Sequence, residues 1–329
     1  MSGIITSVLH RRGALQALVA ALALACVTLV SGCGSTGSSN FASSAKTGPT
    51  SVSLLSEPWD DLETENVIAQ QLLDKLGYQV SIDSLAVDVG AKSMQTGKID
   101  GYLGNWWPSQ QATFGSVINS GKVKVLGTLL TGTQYAPAVP GVFASKYHIT
   151  SLADLAKYGN EFGHKIYGIE PGTPGNATIQ KMIKANDYGL GGWTMVPSST
   201  PAMLAQVQRS INQNKPIAFL AWSPHWMTVQ YHPVFLKDPK GVWGGAGEIR
   251  TLINTATAQK SPNVAKFLGN LKFTATEAGQ FYYQHDKQHQ SFDSIASAWI
   301  AKNPDVVKQF LSGVKSTSGK SAESVVFGS

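Results

Sequence analysis

The sequence predicts an α/β protein of two lobes, and three observations carry that prediction. Short apolar runs of strand character alternate with amphipathic helical segments along the chain past residue 50, the pattern of a mainly parallel sheet covered on both faces. At 329 residues the chain is long enough for two hydrophobic cores. Two strands also end alike, since Leu103-Gly104-Asn105-Trp106-Trp107-Pro108 and Phe219-Leu220-Ala221-Trp222-Ser223-Pro224 each run into tryptophan and then proline. Proline cannot continue a sheet ladder, and the carboxyl ends of buried strands are where open α/β sheets keep their ligands.

Taken in order, residues 51–55 read as the first strand. Leu62, Ala69, Leu72, Leu73 and Leu76 then make one face of a helix, with Gly77 as its C′ residue. Residues 78–82 are a second strand and 90–96 a short helix, followed by the strand ending at Trp106 and another at 122–126. A second α/β run starts near Pro140, where Thr150 or Ser151 caps the helix of Leu152, Leu155 and Ala156. The strand 165–169 leads through Glu170-Pro171-Gly172-Thr173-Pro174-Gly175-Asn176 into a helix carrying Ile179, Met182 and Ile183. After a strand at 193–196, the helix 200–213 turns Met203, Leu204, Val207 and Ile211 to one side, and the strand ending at Trp222 follows. A last strand, 249–253, precedes helices at 264–271, 277–285, 292–301 and 305–311. These helices complete the first lobe, so residues 51–137 plus 248–329 form lobe 1 and 138–247 form lobe 2. Crossings near 132–140 and 240–250 serve as the hinge.

Residues 1–33 read as a targeting segment. Arg11 and Arg12 precede an apolar run over 14–30, interrupted early by Gln16, that stops at Val30-Ser31-Gly32-Cys33. The run is short for a membrane span, which needs about 20 apolar residues, and fits a secretory signal, by the Sec route rather than twin-arginine export. Cys26 and Cys33 are the only cysteines, so the remainder has no disulfide, thiol nucleophile or thiolate metal site. Residues 34–50, rich in Ser, Gly and Thr, read as a flexible tether spanning roughly 20–25 Å.

Charged residues make up only 14% of the chain while tryptophans number eight, which points to a ligand met by π faces. Without Arg11 and Arg12 there are 24 basic side chains against 20 acidic ones, with no basic run. That excludes a nucleic-acid patch. There is no phosphate-binding loop, zincin helix or serine elbow. His285 and His289 stand four apart without an apparent third ligand and read as a solvated face, and His225 as a residue that fixes its loop. Trp193, Trp243 and Trp299 read as packing residues, and Trp107 and Trp226 as core, with the rim of the site as their alternative.

Four motifs set an aromatic at a strand end or just beyond it: Pro58-Trp59-Asp60-Asp61, Asn105-Trp106-Trp107-Pro108, Gly132-Thr133-Gln134-Tyr135 and Trp222-Ser223-Pro224-His225. Brought together from two lobes they would box a quaternary ammonium group. Such a cation has no N–H to donate, yet ring quadrupoles hold it at about 0.5–2 kcal/mol per face. Core filling is the alternative for each ring, and for Asp61 the alternative is a helix N-terminal carboxylate.

Several of these segments resemble the substrate-binding proteins of ABC transporters for glycine betaine, choline and carnitine. The resemblance runs over about 51–314 and is most specific at Leu103-Gly104-Asn105-Trp106, Tyr167-Gly168-Ile169-Glu170-Pro171-Gly172 and Trp222-Ser223-Pro224-His225-Trp226-Met227. It implies the two-lobed periplasmic-binding-protein (flytrap) fold with a ligand cleft between lobes, no catalysis, no cofactor and no metal, and an ABC permease as partner. Likeness to the choline-binding members implies a cage of Trp59, Trp106, Tyr135 and Trp222, with Asp61 and Asn176 as polar partners. Glycine betaine, carnitine and proline betaine are the alternative ligands, because Trp107, Asp60 and Ser223 depart from the choline-type pattern. An enzyme acting on such compounds and a structural lipoprotein are the rivals outside the class. Val30-Ser31-Gly32-Cys33 resembles a bacterial lipobox and implies lipidation at Cys33, hence an extracytoplasmic protein anchored to a membrane.

Overall fold

Nine strands share one sheet in the computed structural model, which describes residues 50–243 and 247–328. They are β1 (Ser51–Ser56), β2 (Gln79–Ser84), β3 (Gly101–Trp107), β4 (Val123–Val139), β5 (Lys165–Tyr167), β6 (Thr194–Val196), β7 (Ala218–Ser223), β8 (Val234–Phe235) and β9 (Gly247–Asn254). Their order is β2-β1-β3-β9-β4-β7-β5-β6, with β8 on β4. The residues read as a signal segment and tether, Cys33 among them, up to residue 49, lie outside the described residues, as do Gly244, Gly245 and Ala246.

The sheet is mixed, not mainly parallel. β1 runs parallel to β2 and β3, and β5 to β6 and β7. Between these ends, β9 pairs antiparallel with β3 and β4, and β4 antiparallel with β7 and β8. The difference arises in β4, a strand of 17 residues where the sequence reads as a strand ending at Leu126. Gly127, Gly132 and Pro137 look like breaks. Gly127 and Gly132 have φ of 157° and 76° and lie where the register with β9 shifts, so they accommodate bulges in a strand that continues. Residues 123–133 pair with β9 and 134–139 with β7 and β8, so one strand serves both halves of the sheet.

The helix Glu63–Lys75 follows its apolar pattern: Leu62, Ala69, Leu72, Leu73 and Leu76 are at most 2% exposed, and Gly77 takes φ 91° after the last turn. Ser151, not Thr150, caps Leu152–Leu155, in a capping box with Asp154. Five short helices escape sequence reading, Gln111–Asn119, Gly141–Tyr147, Trp226–Tyr231, Thr255–Lys260 and Ala322–Phe327. Segments this short owe their helicity to packing more than to propensity. At the C-terminal end, Phe292–Lys302 packs along Glu63–Lys75, where Gln71 donates to the Asp293 carbonyl at 3.2 Å and accepts from Ser297 at 3.0 Å. The C-terminal helices thus return to the β1–β3 end. Among the described residues no helix is long and apolar enough to cross a membrane.

The β4–β7–β5 core is the place to test this packing. Phe219 is fully buried in β7, in register with Ala138 of β4 and Tyr167 of β5. Phe219→Ala is expected to destabilise the protein by about 3–5 kcal/mol, read as a lower denaturant midpoint at unchanged slope.

Candidate ligand-binding site

β4 brings the two tryptophan-ended strands to one place. Tyr135 in β4 stands directly opposite Trp222 in the antiparallel ladder with β7, so the two side chains share a face of the sheet. Trp106 arrives from the end of β3. Trp59, Asp61, Trp106, Tyr135 and Trp222 line one cavity, which Gln110 and Thr173 help to close. The ring centres of Trp106 and Tyr135 are 6.1 Å apart and those of Tyr135 and Trp222 6.5 Å, with interplanar angles of 48° and 69°. A nitrogen about 4.5 Å from two rings that face it at right angles sets their centres about 6.4 Å apart, well within cation–π reach. The spacing is that of adjacent walls of a box.

Asp61 is 8% exposed, and its carboxylate accepts the Trp222 indole N–H at 3.1 Å. Burial pushes its pKa well above the ordinary carboxylate value. The Trp222 bond pulls it down, while Asp60, Glu65 and Glu170 add to the rise. A buried acid that is costly to ionise alone is an electrostatic demand that a ligand cation can meet.

A polar chain holds the Trp106 wall. Arg250 donates to Asn105 Oδ1 at 2.8 and 3.0 Å while its guanidinium lies 3.7 Å over the Trp107 ring. Asn105 donates to Gln110, and Gln110 donates to buried Glu57 at 2.8 Å. Burial raises the pKa of Glu57 well above normal, and Asp61 adds to the rise. On the Tyr135 wall, the hydroxyl takes the backbone N–H of Gly175. A Cβ on Gly175 would come within 2.0 Å of that oxygen, so glycine is required by close approach. Trp243 donates its indole N–H to the Tyr135 carbonyl and packs at 5.5 Å.

Five of the six anticipated site residues meet in the cavity, and Asn176 does not line it. Its amide accepts from Ile169 N at 3.0 Å and donates to the carbonyls of Ile169 and Glu170, which shapes the loop behind the cavity. Glu57, Gln110, Thr173 and Gly175 are additions. Thr173 precedes the helix Pro174–Lys184, is 3% exposed, and among the described residues its hydroxyl has no partner. Glu57 directly precedes the Pro58-Trp59-Asp60-Asp61 motif and Thr173 lies within the segment 170–176, but nothing in the spacing shows that Thr173 lines the cavity. His225 fixes its loop as expected, for Nδ1 accepts from Met227 N at 3.0 Å; burial, aided by Lys287, depresses its pKa to about 3. His285 sits beside Asp60 and Asp286, not in a pair with His289. Trp226 is core-like at 8% exposure.

A sheet in two halves joined through β4, with an aromatic cavity at the junction, defines a solute-binding protein of the periplasmic-binding-protein fold. The structure resembles an ABC-transporter choline-binding protein in complex with choline (TM-score 0.81, 30% identity, 84% of this chain and 96% of that one). It also resembles lactococcal OpuAC in its closed form with glycine betaine (TM-score 0.72, 27% identity, 79% and 99%). The glycine betaine/carnitine transport binding protein GbuC of Listeria monocytogenes is 31% identical over 49% of this chain; the match spans only 53% of that relative. Residues 50–302 match the substrate-binding domain of ABC-type glycine betaine transport systems, and the chain belongs to that family. Its members are solute-binding proteins rather than enzymes.

Near the cavity, Glu65 is fully buried and neither carboxyl oxygen has a hydrogen-bond partner. Burial raises its pKa from 4.5 to about 8. The folded protein keeps a proton that the unfolded chain releases, so the stabilising contribution is full below pH 4.5 and is lost as pH rises to about 8. Unfolding free energy is expected to fall across that window, and Glu65→Gln to remove a slope on the order of 1 kcal/mol per pH unit, as read from denaturation at successive pH values.

Proposed function

We propose that this protein is the extracytoplasmic solute-binding component of an ABC importer and captures choline, or a close quaternary ammonium relative, between Trp59, Trp106, Tyr135 and Trp222. The observation that carries this reading is the spacing of the rings, with centres 6.1 and 6.5 Å apart around one cavity, beside a buried carboxyl group. The rings take the methylated face of the cation, and Asp61 neutralises it and accepts a hydroxyl. Thr173 offers a second hydrogen-bonding partner to that same ligand hydroxyl, while Asn176 acts through the shape of its loop. At about 1.5 kcal/mol for each of roughly seven heavy atoms, choline can reach about −10 kcal/mol, and micromolar binding needs about −8.

Residues 51–137 with 248–329 and residues 138–247 act as the two lobes. The change of partner within β4 at residues 133–134 supports a hinge there. Closure of the lobes on the ligand builds the surface a permease recognises. Cys33 carries the lipid anchor, and acyl chains buried at about 0.8 kcal/mol per methylene hold the protein at the membrane.

A second reading is favoured by one observation. Because burial raises its pKa, Asp61 can stay protonated and donate to the carboxylate of a betaine. The sign of the pH dependence separates the two. Choline must expel a proton from Asp61, so its affinity rises with pH until the carboxyl ionises unaided. A betaine held by the neutral acid loses affinity over the same range. Titration of tryptophan fluorescence with each ligand is expected to show the rising profile for choline. Asp61→Asn is expected to weaken choline about 10–100-fold, flatten that profile and leave glycine betaine unharmed. An unchanged spectrum through millimolar choline, betaine and carnitine would sink the reading. Gly175→Ala, which pushes Tyr135 off its wall, is expected to weaken whichever ligand binds.

A further inference from the structure

A second cavity, of about 500 Å³, lies beside the cage and shares two of its lining residues, Trp59 and Asp61. Asp60, Trp226, Asp286 and Lys287 also line it. Trp226 belongs to the helix Trp226–Tyr231, whereas Asp286 and Lys287 belong to the helix Ala275–Gln288. The Trp226 indole N–H donates to Asp286, and the Lys287 ammonium sits 3.4 Å from the centre of the Trp226 ring. The chamber therefore already holds a cation, one tethered to the protein, against an indole face and beside a carboxylate. Three carboxyl groups face one lysine there. His285 Nε2 lies 4.0 Å from the Asp60 carboxylate.

We propose that this chamber is an outer binding site for organic ammonium cations, in which the ligand replaces the Lys287 ammonium on Trp226 before it passes Trp59 into the cage. An indole face and unneutralised carboxylates are the elements that recognise such a cation, and a cleft lined mainly by one sign of charge concentrates it and speeds its capture. Passage into the cage rests on the function proposed above. The outer site itself does not.

Stopped-flow tryptophan fluorescence with choline at low ionic strength tests the passage. Lys287→Met is expected to raise the association rate about threefold or more and Asp60→Asn to lower it by a similar factor, both effects shrinking as salt screens them. Dissociation is expected to stay unchanged, and so is association in Asp305→Asn, which removes an exposed acid that lines neither cavity. Association rates unaffected by both substitutions, or shifted equally by Asp305→Asn, would overturn the proposal. An equilibrium titration with tetramethylammonium in Trp106→Ala, where the cage is disabled, separates the two sites. Weak binding that Lys287→Met strengthens supports the outer chamber even if the wild type shows no tight phase. Tight binding by the wild type with no residual response in Trp106→Ala, alone or with Lys287→Met, overturns the chamber and leaves the cage intact.

Discussion

Asp61 is a carboxyl group enclosed by aromatic rings, and among the described residues its side chain is hydrogen-bonded by the indole N–H of Trp222. Burial without a countercharge is costly for the ionised form, and the same burial raises the pKa of the neighbouring carboxyl groups of Glu57 and Glu65. Among the described residues no lysine or arginine lines the cavity with Asp61, and Arg250 is engaged by Asn105 and Trp107. A cavity built this way has π faces and a buried acid whose ionisation a bound cation favours, and its described lining holds no lysine or arginine. Its complement is a cation that needs no hydrogen-bond acceptor at its charged end.

Keeping such a cavity open requires walls that do not collapse onto one another. Tyr135 is braced by the Gly175 N–H at its hydroxyl and by Trp243 at its carbonyl. Trp106 sits on a strand end held by the Arg250–Asn105–Gln110–Glu57 chain. Trp222 is set by its register opposite Tyr135 and by Asp61. Each of these three rings is therefore fixed through its own strand or loop, and the space between them is left to a ligand. Preorganised walls reduce the ordering cost of binding.

The same logic extends across the neighbouring chamber. His225 stacks on Tyr282 at 5.5 Å, and the Tyr282 hydroxyl accepts the backbone N–H of Leu62 at 3.0 Å, next to Asp61. The loop after β7 is thus tied through one tyrosine to the start of the helix that follows Asp61. Contacts remote from the rings help to set where the acid stands.

Much of this was legible in the sequence, because short buried strands ending in Trp and Pro carry both a periodicity and a stop signal within a few residues. The apolar face of Glu63–Lys75 and the aromatic motifs at Trp59, Trp106, Tyr135 and Trp222 needed no distant partner to be read. What remained hidden depended on residues far apart in the chain. The length of β4 emerges only when β9 and β7 supply hydrogen bonds across Gly127, Gly132 and Pro137. Asn176 turned from the cavity because Ile169 and Glu170 claimed its amide, while Thr173 entered it because nothing claimed its hydroxyl. Local sequence determined which rings and acids were available and which strand ends would carry them. Tertiary structure alone decided which polar atoms were left unpaired, since that depends on the partners each one meets when the chain closes.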